Sequence, residues 1–172
     1  MSAAATTLTP PALRAYWPGQ GGYYAGIVSG GEGAPDYHLI VSGKALGDFR
    51  GAWGKTGKDV PGAESYFDGP ANTRAMAAAG SDIAKQVLAL EIEGHADWHI
   101  MSQAEAHVLA ANCKSLFEQR LYWTSTQFSE NYAWLQYFSY GTQNFYHKSF
   151  EARCRAVRRL PLESFNPLGG AQ

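Results

Sequence analysis

Two groups of residues in this chain have the types and spacing to do chemistry. His95-Ala96-Asp97-Trp98-His99 sets two imidazoles and a carboxylate at i, i+2 and i+4. On a strand those three share one face, and imidazole and carboxylate are ordinary metal ligands. Three ligands from one strand do not close a tetrahedron without a fourth from elsewhere. The competing expectation is therefore a Glu93-Gly94-His95 turn into a short strand, with Trp98 anchored in the core. Cys113 is the second group, since a thiol beside a distant histidine is a nucleophile pair. It sits in a helical run among Ala and Leu, where inert thiols reside. Cys154 alternates with Arg153 and Arg155, which points it inward. No phosphate loop, serine elbow or dinucleotide fingerprint is present. The titratable groups are scattered, where a catalytic site needs them convergent. No catalytic residue, metal or cofactor is expected, and the chain is not expected to be an enzyme.

The segment from Tyr132 to Phe150 carries a different chemistry. Strand alternation separates Trp134, Gln136 and Phe138 from Ala133, Leu135, Tyr137 and Ser139. One set fills the core, yet the other still holds Leu135 and Tyr137. With Tyr140, Asn144, Phe145, Tyr146, His147 and Phe150 added, the aromatics exceed what one small core absorbs. Tyr offers large amphipathic area at low entropic cost, and short polar residues offer hydrogen bonds, as on antibody-like surfaces. The expected ligand contacts are Leu135, Tyr137, Tyr140, Asn144, Phe145, Tyr146 and His147, with Trp134 and Phe138 as scaffold. Two other uses stay open: burial in a subunit interface, or plain packing.

Composition bounds these readings. The 172 residues suit one domain with a full core. With 14 basic and 15 acidic residues the net charge is −1, which argues against a general nucleic-acid binder. The bunched Arg153, Arg155, Arg158 and Arg159 suit local pairing. No stretch reaches the roughly 18 apolar residues of a membrane helix. The N-terminal residues lack the basic start and apolar run of a secretory signal. Synthesis in a cytoplasm is expected, and with it two buried, free thiols. Aromatics at 13% and 19 glycines point to a loop-rich domain, not a helical bundle.

The elements that must position the aromatic segment follow from local pattern. Residues 1–15 read as a flexible arm, 16–160 as the domain and 161–172 as a tail. A strand over 23–28 and another over 37–42, joined by Ser29-Gly30-Gly31-Glu32-Gly33, form an opening hairpin. A Gly-rich connection over 43–70 follows, long enough to require a function or packing of its own. Asn72 is the expected cap of a helix that Gly80-Ser81 interrupts and that resumes over 82–90. Ser102-Gln103-Ala104-Glu105 fits a capping box opening a second helix. Strands over 122–126, 132–139, 143–148 and 153–160 complete an antiparallel meander. The expected fold class is α+β.

Several segments together resemble the DUF1566 family, also called the Lcl C-terminal domain. They are Asp97-Trp98-His99-Ile100-Met101-Ser102, Glu105, Tyr122-Trp123-Thr124-Ser125-Thr126, Ala133-Trp134, Phe138, Gly141, Lys148 and Arg153-Cys154-Arg155-Ala156-Val157-Arg158. Trp17-Pro18-Gly19-Gln20-Gly21-Gly22 and Asp36-Tyr37-His38-Leu39-Ile40 are similar to its phage and prophage members. The resemblance spans about 16–160. It implies a C-type-lectin-like fold that displays side chains between Trp134 and Arg153. It also implies a virion tail location and the recognition of a bacterial surface glycan or protein. Other phage tail proteins and a homotrimer are the expected partners, with no nucleic acid and no membrane insertion. The Glu-Pro-Asn, Gln-Pro-Asp and Trp-Asn-Asp motifs of calcium-dependent lectins are missing, so no calcium is expected. The alternative within the resemblance is a structural tail module whose aromatics pack on another subunit.

Overall fold

A computed structural model describes residues 8–162. The alternating aromatic and aliphatic residues near the N-terminus form β2 (Gly22–Val28) and β3 (Tyr37–Ser42), paired antiparallel as the pattern predicts, and a strand the pattern did not predict, β1 (Tyr16–Trp17), pairs antiparallel with β2. The stretch before them is tied down. Arg14 and Ala15 exchange backbone hydrogen bonds with Tyr24, and the Arg14 guanidinium donates to the Asn112 carbonyl at 2.9 Å. Residues 1–7 of the expected arm and 163–172 of the expected tail lie outside the described residues.

The Gly-rich connection is not one loop. It holds a single helical turn, α1 (Lys44–Gly47), and a strand, β4 (Asp48–Ala52). Asp-Phe-Arg-Gly-Ala carries no strand pattern, and it is the pairing with a distant strand that holds it extended. The rest of the connection packs through its own side chains. Trp53 Nε1 donates to the Thr124 carbonyl at 2.9 Å, and Gln127 Oε1 accepts from the Val60 N–H at 2.9 Å.

The interrupted helix is two helices, α2 (Gly69–Ala78) and α3 (Asp82–Leu88). Asp68 caps α2, four residues before the expected Asn72. Pro70 sits in its first turn, where a missing N–H costs nothing. Asn72 is instead buried inside the helix and bonds both the N–H and the carbonyl of Ser65. Gly80, at φ +99°, makes the left-handed break, and Ser81 caps α3. After β5 (His99–Ile100), α4 (Gln103–Asn112) opens with the predicted Ser102–Glu105 capping box.

The remaining strands are β6 (Leu121–Gln127), β7 (Tyr132–Tyr137), β8 (Thr142–His147) and β9 (Glu151–Pro161). The order β1-β2-β3-β9-β6-β7-β8 corrects the expected meander: β9 returns to the middle of the sheet, away from β8. Its first half pairs with β4 and, in parallel at one position, with β6. Its second half pairs with β3 and β5. Eleven residues are long enough to serve both halves of the sheet, which leaves β8 at an edge.

Both faces of the sheet are covered, which is why β3 is buried at every position. On one face Trp53, Met76, Ile83, Val87, Trp98, Trp123 and Leu135 pack with α2 and α3. On the other, Leu39, Val41, Leu109, Cys113, Tyr122 and Phe138 pack with α4. The molecule is thus α+β, a largely sheet core with four helices among the described residues. Cys113 and Cys154 are buried and free. No helix among the described residues is long and apolar enough to cross a membrane.

Candidate functional site

The groups suited to acid–base or metal chemistry are each engaged elsewhere. His95 Nε2 lies 2.8 Å from the Gly19 carbonyl, Asp97 accepts from Arg158 Nε at 2.9 Å, and His99 Nε2 lies 3.0 Å from Glu105. The i, i+2, i+4 spacing therefore does not bring the three together, because only His99 and Ile100 are strand and the chain turns before them. Trp98 is buried, with its indole N–H on the His95 carbonyl. Burial pushes the Cys113 thiol up to about 11 and the Cys154 thiol higher still, so neither is a ready thiolate.

Glu105 is the centre of a buried polar network that sequence pattern did not show beyond its capping role. Its carboxylate accepts from Tyr37 Oη and Arg159 Nε, both at 2.9 Å, and from the Ser102 N–H at 2.8 Å. His99 completes the set, and the Arg159 guanidinium lies over the Tyr37 ring at 4.2 Å. Gly69 is required beside it, since a Cβ there would stand 2.6 Å from His99 Cδ2. This network locks the start of α4 to β3, β5 and β9. Glu105 and His99 are buried and only Arg159 reaches the surface, so the network serves positioning.

The recognition residues predicted from sequence lie on the β7–β8 hairpin, but on two opposite faces. Register pairs Trp134 with Phe145 and Tyr132 with His147, so these four share the α4 side of the sheet. Ala133 pairs with Tyr146, Leu135 with Asn144 and Tyr137 with Thr142, which places these on the α2/α3 side. Leu135 is a correction: it is wholly buried in the core and presents nothing to a ligand. Trp134 is the second correction. It is only half-buried and belongs to the exposed aromatic face, whereas Phe138 is buried and stacked on Phe117 at 3.8 Å. Alternation told the two sets apart but could not say which cover each would receive. Tyr140, at the hairpin tip, is 75% exposed and meets Tyr137 edge-on at 4.9 Å.

On the α4 side, beyond the helix's first turn, Phe128 stacks on Phe145 at 4.4 Å. Trp134 and Tyr132 lie edge-on to Phe145 at 5.6 and 5.5 Å. On the other side the hairpin borders an open cleft of about 710 Å³. Tyr137, Asn144 and Tyr146 form one wall, with Phe150 4.9 Å from Tyr146. Arg50 of β4, Arg153 of β9 and Arg120 before β6 form the other. Arg153 is held by Asp48 and Glu118, each at 3.1 Å. Arg50 and Arg120 reach Glu151 and Glu118 only at 3.6 and 3.5 Å, and both are 69% exposed. Sequence reasoning missed Arg50, Arg120 and Phe128; Arg153 it expected in local pairing, and Arg153 is so paired. Arg50 lay in an apparent loop, and only the return of β9 brings it to the hairpin.

Lys148 fixes the far end of β8. Its ammonium is buried, donates to the Lys58 carbonyl at 2.7 Å and to Gln127 Oε1 at 2.6 Å, and lies 4.9 Å from the Trp53 ring. Burial lowers its pKa. The hairpin is thereby anchored at its base, and its edge strand β8 stays largely exposed on both sides. No protein-family model matches the chain, and no curated protein matches it.

Proposed function

We propose that this chain is a ligand-recognition domain. On the reading that carries its DUF1566-like motifs, it is a C-type-lectin-like receptor-binding protein of a phage or prophage tail. The observation that carries recognition is the edge hairpin β7–β8. On its cleft side Tyr146 is exposed and Tyr137 half-buried, with Tyr140 exposed at the tip, around a sheet whose two cores are already filled by other residues. Solvent-facing aromatics on a strand pair give large contact area at low ordering cost on binding. Tyr137, Tyr146 and Asn144, together with the neighbouring arginines, form the ligand wall. The ligand class on this reading is a bacterial surface glycan or protein, recognised without catalysis.

The second reading, packing on another subunit in a homotrimer or against another tail protein, is favoured by the opposite face. There the Phe128–Phe145 stack with Trp134 edge-on to it makes an aromatic patch of the kind interfaces bury. The two uses no longer compete for one surface. Binding of the labelled chain to intact bacteria and envelope fractions tests the assignment. Tyr137→Ala with Tyr146→Ala should weaken binding about 10- to 100-fold, as for two aromatic hot spots. Phe145→Ala should instead alter mass by light scattering and leave envelope binding in place. Unchanged binding by the double variant refutes the cleft as the ligand wall.

A further inference from the structure

We infer that the ligand of this cleft is an acidic saccharide, a sugar bearing a carboxylate. The inference rests on the recognition reading above and names the chemistry of that same site. Three arginines and one glutamate line the cleft, and the Asp48 and Glu118 carboxylates behind them are taken up first by Arg153, so the cations left facing the cleft are Arg50 and Arg120. Arg153 is already committed to Asp48 and Glu118. Arg50 and Arg120 are not: their carboxylate partners stand at 3.6 and 3.5 Å, beyond good hydrogen-bond length. Two guanidinium forks with unspent donors match a carboxylate in bidentate geometry.

The opposite wall supplies what a sugar ring needs. The C–H face of a pyranose packs on an aromatic ring, and Tyr146 and Phe150 offer adjoining rings tilted by 40°. Asn144, exposed on the same wall, accepts the Phe145 N–H on its Oδ1 at 2.8 Å and has its amide N–H groups to donate to hydroxyls. The volume of about 710 Å³ lies within the roughly 300–1,000 Å³ of small-molecule sites and leaves room for more than one ring. A nucleic-acid strand is disfavoured, because two available cations do not make the continuous basic track that phosphate backbones require.

The test is an array of bacterial surface glycans with matched neutral, carboxylated and phosphorylated members, followed by titration of the native chain with the best-bound glycan. Carboxylated members should be retained over their neutral counterparts, with affinity falling as salt rises. Arg50→Ala with Arg120→Ala, both exposed and safe for folding, should lower that affinity about 10-fold. Preference for neutral or phosphorylated members, retention of none, or tighter binding of an oligothymidylate overturns the inference. These failures are distinguishable from failure of the recognition reading. If Tyr137→Ala with Tyr146→Ala still weakens binding to bacteria by about 10-fold or more, recognition stands and only the acidic ligand falls.

Discussion

Replacing Glu105 by glutamine tests whether the buried polar network holds the fold together. Glu105 has no solvent exposure, and burial taken alone would raise its pKa. His99, Arg159 and the Ser102 N–H more than offset that burial and hold the carboxyl at about 2, against an ordinary value of 4.5. The folded state therefore prefers the ionised form. A group depressed in this way contributes its full stability above pH 4.5 and loses it as pH falls through about 2. The gap between 4.5 and about 2, at about 1.4 kcal/mol per unit, amounts to roughly 3 kcal/mol. Glutamine keeps the shape but not the charge, and it leaves Arg159 without its carboxylate. Urea unfolding at pH 7 should show the variant about 3 kcal/mol less stable. With a slope of about 2 kcal/mol/M, that lowers the midpoint by about 1.5 M. The difference between wild type and variant should shrink to about 1 kcal/mol near pH 2.5, because the wild type has by then lost most of what the carboxylate gave. A difference under about 1 kcal/mol at pH 7, or one that stays constant with pH, refutes the argument that this ion network stabilises the fold.

Two further outcomes follow from burial alone. Leu135→Ala should destabilise by about 2–5 kcal/mol in chemical denaturation, as a cavity in a packed core does, while Tyr140→Ala at the hairpin tip should stay within about 0.5 kcal/mol. Equal effects would contradict their opposite burial. Cys113, with its thiol pushed up to about 11, and Cys154, raised further by burial, should both resist an aromatic disulfide reagent at pH 8 in the native state. Both should react once denaturant is added, which absorbance of the released thiolate reads directly.

The α+β class, the opening hairpin, the capping box at Ser102 and the strands around Trp123, Trp134 and Phe145 were all legible in the sequence. Each depends on neighbours within a few residues, where propensity, alternation and caps act. The resemblance to phage lectin-like proteins came from a motif string, and it carries a proposal about function, not a placement of side chains.

The tertiary structure decided what depends on distant partners. β4 exists because β9 pairs with it about a hundred residues later, and no local pattern in Asp-Phe-Arg-Gly-Ala announces a strand. Glu105 meets Tyr37 and Arg159 across 68 and 54 residues. On β7, alternation separated Leu135 from Trp134, but which one is buried depends on where α2, α3 and α4 end above the sheet. The cleft itself has arginines from three separate segments. Period and propensity see one segment at a time, whereas charge and shape complementarity at a surface arise only when segments meet.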